Sequence, residues 1–168
     1  MKIKDIVASA IFAALTAACA QVWFPLPVTQ VPITLQTLVI YLIVLTADRK
    51  VSLASVITYL ALGAFGLPVF SGLSSGLGIL FGATGGYMWG FILAALAASL
   101  LPRKKTVPNM IAKLLIATLC IYLVGTIQLK YVLGISFSAA ITMGVLPFLL
   151  GDFIKCLVAM MVAKRINI

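Results

Sequence analysis

The chain has 168 residues and a mass of 17.8 kDa; 64% of it is hydrophobic, 9% is charged and its mean hydropathy is +1.25, against roughly 45 to 50% apolar and about 25% charged in a soluble domain. With twelve Lys or Arg, three Asp or Glu and no His, a water-soluble globule is excluded, and a His-based metal site, a Ser/His/Asp triad and a neighbouring carboxylate pair all lack their parts. No GxxxxGK[ST] loop is present to hold ATP, and the net charge of +9 sits at the flanks of apolar runs, which points to membrane lipid and away from nucleic acid.

A helix needs about 20 residues to cross roughly 30 Å of hydrocarbon. Dividing the apolar runs at charges, prolines and glycines predicts an all-α integral membrane protein, a single domain over 1–168 with six transmembrane helices. The first span, 4–24, ends at Pro25-Leu26-Pro27 and carries Ala10, Ala14 and Ala18 at a spacing of four. That smooth face suits docking on another membrane helix. Lys2, Lys4 and Ala18-Cys19-Ala20 imitate a cleavable secretory signal, but everything downstream is also apolar, so an uncut first helix is expected.

The connection from Pro25 to Gln36 is uncharged and rich in proline and reads as a stiff external cap. Gln36, a polar amide entering the second span (32–47), needs a partner inside the bundle, and Thr34 stands beside it. Both are candidate ligand contacts; a surface loop with Thr34 as a helix cap is the plain alternative. The third span, 51–67, stops before Pro68, and a Gly/Ser loop follows. The fourth, 78–101, repeats Gly78, Gly82, Gly86 and Gly90 every four residues, a ridge for close backbone approach. Gly85, Gly86 and Tyr87, near its external third, are candidates for a ligand cavity, with packing and an interfacial aromatic anchor as alternatives. The fifth span covers 110–133 and the sixth 139–165.

Ten of the twelve basic residues, Lys113 among them, fall at the termini or the even-numbered turns. Cytoplasmic flanks carry such an excess, which places both termini in the cytoplasm. Cys19, Cys120 and Cys156 each lie in an apolar run without CxxC spacing and read as buried thiols.

The exceptions are Lys130 and Lys155. Lys155 and Asp152 lie 9 and 12 residues before Lys164, or about 14 and 18 Å up the last helix. Insertion of each such charge costs about 2.5 to 3.5 kcal/mol at a helix centre. A spacing of three puts them on one helix face, where they either lock helix packing as a self-contained pair or line a polar cavity open to the outside. In a cavity they offer an acceptor-only carboxylate beside an ammonium with three donors, a match for a small ligand with N–H and C=O groups. Pro147 and Gly151 just before the pair predict a bend or loosening of the helix there.

Four segments in this order resemble the BioY family: Val31-Pro32-Ile33-Thr34-Leu35-Gln36-Thr37, Gly66-Leu67-Pro68-Val69-Phe70, Gly82-Ala83-Thr84-Gly85-Gly86-Tyr87 and 147–155 from Pro147 to Lys155. Ala83 stands where that family's motif has proline. The resemblance covers nearly the whole chain. It implies a substrate-capture (S) subunit of an energy-coupling-factor vitamin importer in a bacterial-type plasma membrane, with six helices and no catalysis or cofactor of its own. It implies biotin as ligand, a transmembrane coupling (T) subunit and two ATP-binding subunits as partners, and ATP use by those partners alone. It further implies ligand contacts at Asp152 and Lys155, then Gly85, Gly86 and Tyr87, with Thr34 and Gln36 after them, and docking through Ala10, Ala14 and Ala18. Asp152 can accept from the ureido N–H groups while Lys155 donates to the ureido carbonyl, or Lys155 can pair with the valerate carboxylate; the residues alone do not choose. Two other readings fit the composition: a membrane assembly subunit without a ligand, and an autonomous small-solute carrier with Asp152 as its titrating group.

Overall fold

The computed structural model describes residues 1–166, so the last two positions of the 1–168 domain lie outside the described residues. The described chain is mostly helical, as a backbone in lipid must be unless it closes a barrel. Helix α1 (Ile3–Ala20) is followed by strands β1 (Trp23–Leu26) and β2 (Thr29–Thr34), then α2 (Gln36–Thr46), α3 (Arg49–Ala64), α4 (Leu77–Phe81), α5 (Gly85–Ala98), α6 (Val107–Leu133), α7 (Phe137–Gly144) and α8 (Leu149–Arg165). α1, α6 and the run from Phe137 to Arg165 are long and apolar enough to cross a membrane; α2 and α5 are apolar but shorter.

The first span ends at Ala20, four residues earlier than expected, and the second starts at Gln36, because the chain between them folds as an antiparallel hairpin. Trp23 pairs with Thr34, Phe24 with Ile33 and Leu26 with Thr29. The register slips at Pro25, which has no N–H to give the ladder. The cap is therefore a two-stranded roof.

The fourth and sixth spans are each broken. Gly82 leaves the helix in an extended conformation and separates α4 from α5. Gln128 of α6 fills the break, its amide donating to Gly82 O at 2.7 Å and to Leu80 O at 2.9 Å. Only the lower half of the glycine ridge packs: a Cβ on Gly86 would come within 2.6 Å of Val124 O, and one on Gly90 within 2.7 Å of Ile121 Cα, whereas Gly78 has nothing within 4 Å. The four-residue rule assumed one continuous helix. In the last span Pro147 produces a full interruption, a 3₁₀ turn at Leu146–Phe148 between α7 and α8.

Lys113 is not a surface flank. It is 2% exposed and donates to Val44 O at 3.2 Å, while Arg103 donates to Thr46 O at 2.7 Å. Two cations thus meet the negative end of α2. Lys130 lies in the last turn of α6 with its ammonium 5.1 Å from the Tyr131 ring centroid. The three cysteines are free and half-buried. α1 buries Ser9, Phe12, Ala13, Thr16 and Ala20 against the bundle and leaves Ala10, Ala14 and Ala18 exposed.

Candidate functional site

The break at Pro147 decides where Asp152 stands. Because α8 restarts at Leu149, Asp152 falls in its first turn, where the helix dipole and unpaired backbone N–H groups favour a carboxylate. Lys155, one turn on, donates to Asp152 Oδ1 at 2.8 Å, and the two residues are 8% and 4% exposed. Thr37, from the first turn of α2, donates to the same oxygen at 3.2 Å and receives Lys155 Nζ at 2.9 Å. Tyr122, from α6, donates to Asp152 Oδ2 at 2.7 Å. Three helices that meet nowhere in sequence converge on one carboxylate.

These groups border a cavity that is open at one side. Thr34, Gln36, Thr37, Tyr122, Asp152 and Lys155 give it a polar side. Val31 and Pro32 of β2 with Met88, Phe91, Ile121 and Phe148 give it an apolar one. A few fixed polar groups on an otherwise apolar wall are the general form of a small-molecule site.

The hydrogen-bond capacity of the pair is not exhausted. Asp152 Oδ1 accepts twice and Oδ2 once, so one carboxylate lone pair is left over; Lys155 has spent two of its three N–H groups. One acceptor, on Asp152 Oδ2, and one donor, on Lys155 Nζ, therefore remain on two residues that line the cavity. A self-contained packing pair would spend both.

The other candidates divide. Gln36 lines the cavity with its amide held: Oε1 accepts from Thr34 Oγ1 at 2.9 Å and Nε2 donates to the Tyr59 hydroxyl, which in turn donates to Val69 O at 3.2 Å. Thr34 also receives the Gln36 backbone N–H at 3.3 Å. Tyr87 is buried, so it is no interfacial anchor; it lines the cavity while its hydroxyl donates to Gly144 O at 2.9 Å. Gly85 and Gly86 stand against other backbone, the Leu80 carbonyl and Val124 O respectively, and are not part of the lining. They set α5 against α4 and α6, and the adjacent Thr84 reaches the cavity in their place. Thr37, Thr84 and Tyr122 escape sequence reasoning. Thr37 adjoins Gln36 within a motif already singled out; Tyr122 has no signal in an unbroken apolar helix.

A family model described as the BioY family matches residues 1–168. The chain belongs to the BioY family. The probable biotin transporter BioY of Pyrococcus horikoshii is 36% identical over 167 residues, 99% of this chain and 98% of that one. The biotin transporter BioY of Thermotoga maritima is 35% identical over 165 residues, 98% and 96% of the two chains. The fold is similar to a crystal structure, at 2.1 Å, of the S-component for biotin from an ECF-type ABC transporter, with a TM-score of 0.87, 26% identity and coverage of 97% of this chain and 90% of that one. In this BioY chain the Gly82-Ala83-Thr84-Gly85-Gly86-Tyr87 segment is the break between α4 and α5, and Ala83 follows directly on the extended Gly82. As a member of a transporter family with long apolar helices, it is a membrane protein.

Proposed function

We propose that this BioY protein is the biotin-capturing S subunit of an energy-coupling-factor importer. It takes biotin from the external side into the cavity at Asp152 and Lys155 and delivers it inward when a coupling T subunit and two ATP-binding subunits energise it. In this reading the chain crosses the plasma membrane six times with both termini in the cytoplasm, uses no cofactor and is not an enzyme, because no bond of the ligand changes. Ala10, Ala14 and Ala18, exposed on α1, form the face that meets the coupling subunit through close helix packing.

The observation that carries the reading is the unspent donor and acceptor of a buried ion pair that lines a cavity with an apolar wall opposite its polar side. A ureido ring presents an N–H beside a C=O. The N–H meets the remaining lone pair of Asp152 and the carbonyl meets the remaining N–H of Lys155, which supports the ureido assignment over pairing of Lys155 with the carboxylate. The bicyclic thioether and the aliphatic tail belong on the wall of Met88, Phe91, Ile121 and Phe148. Calorimetric titration of the detergent-purified protein with biotin, thiamine and riboflavin tests this. Saturable heat with biotin alone is expected; no heat with biotin, or equal heat with all three, overturns it.

A further inference from the structure

Without Tyr122 the carboxylate would be held through one oxygen only. Lys155, Thr37 and Asp152 Oδ1 form a ring of three hydrogen bonds at 2.8, 2.9 and 3.2 Å, all on one side of the carboxylate. The last torsion of an aspartate is soft, and the ring holds the carboxylate plane against it through Oδ1 alone. Tyr122 reaches Oδ2 from a different helix at 2.7 Å, a length typical of charge-assisted O–H···O bonds. The hydroxyl therefore pins the carboxylate plane from the opposite side. It also takes one of the two lone pairs on Oδ2 and leaves one.

We propose that Tyr122 is a positioning residue for ligand specificity: it aims the last free lone pair of Asp152 at a single ring N–H, so that the site demands an unsubstituted nitrogen at that one position of a urea-type ligand. The inference rests on the reading of this cavity as the biotin site. Tyr122 is suited to the task because its proton is committed and its ring lines the same cavity. A ligand nitrogen carrying an alkyl group in place of hydrogen meets an acceptor that cannot turn away.

The test uses the whole purified protein and three ligands: biotin and its two analogues methylated at one or the other ureido nitrogen. The native protein is expected to reject one analogue more strongly than the other. Tyr122→Phe is expected to weaken biotin about tenfold, in keeping with loss of a hydrogen bond to a charged group, and to shrink the discrimination between the analogues by a similar factor. p-Aminophenylalanine at position 122, which keeps a donor in the place of the hydroxyl, is expected to restore discrimination. Equal weakening of all three ligands, unchanged discrimination, or no rescue by the amino side chain overturns the proposal. Asp152→Asn run in parallel separates the two layers: normal biotin binding in that variant overturns the site itself. Loss of binding there, with native behaviour in Tyr122→Phe, overturns only the role of Tyr122.

Discussion

Replacing Asp152 by Asn keeps the shape of the side chain and removes its charge, which separates what the ion pair does for the fold from what it does for the ligand. Lys155 is 8% exposed, and among the described residues its only acidic partner lies at 2.8 Å on the same helix. Breaking a buried pair from one side costs about 3–5 kcal/mol, because an uncompensated charge is left behind. At roughly 2–4 °C per kcal/mol for a chain of this size, the ligand-free protein is expected to unfold about 6–20 °C lower. Removing the second charge as well, in Asp152→Asn with Lys155→Met, is expected to recover most of that loss, since neutral replacements of buried pairs are often tolerated. Biotin binding behaves differently. The lost charge-assisted bond, about 1.5–3 kcal/mol, weakens binding by roughly 10- to 150-fold, and the double variant recovers none of it. Thermal unfolding in detergent, followed by retention of radiolabelled biotin, reads both quantities. If Asp152→Asn unfolds at the native temperature, or if Lys155→Met restores binding along with stability, the reasoning fails.

Gly63→Ala places a Cβ in collision with the tip of the Phe70 ring, which is fully buried edge-on against Tyr59; displacement of the ring is expected to cost about 1–3 kcal/mol, read as a lower unfolding temperature, with faster biotin release because Ser71 of the adjoining loop lines the cavity. Gln128→Leu removes the amide that ties α6 to the break, while Gly82 O keeps the Gly85 N–H at 3.1 Å and Leu80 O the Trp89 indole N–H at 2.9 Å. A loss of about 0.5–1.5 kcal/mol is expected in thermal unfolding, with weaker biotin binding as Thr84 shifts. Ala14→Leu fills the outward face of α1. Biotin affinity of the isolated subunit is expected to stay native while co-purification with the coupling subunit is lost; intact assembly would remove that face from the docking proposal.

Asp152, Lys155 and Gln36 were legible because polar groups in oil are costly enough to announce themselves. Thr37 and Tyr122 were not, because Thr and Tyr are ordinary in membrane helices. They acquire a role only when residues 115 and 30 positions apart in sequence are brought to bonding distance. The hairpin was hidden by its prolines. Pro25 reads as a helix stop, yet it sits at the irregularity where a strand tolerates a missing donor. The glycine ridge shows the opposite failure: its period was real, but the break at Gly82 put Gly78 on a different helix from Gly86 and Gly90. Lys113 reads by position as a flank, and only packing reveals that it turns inward to the carbonyl of Val44.

The spacing of three between Asp152 and Lys155 has a consequence for movement. Both charges ride on one rigid helix, whereas Thr37 and Tyr122 ride on two others. Any parting of α8 from α2 or α6 strips away the neutral partners first and leaves anion and cation together. The protein can therefore rearrange around its guest without setting a bare charge adrift in hydrocarbon at any stage of the cycle.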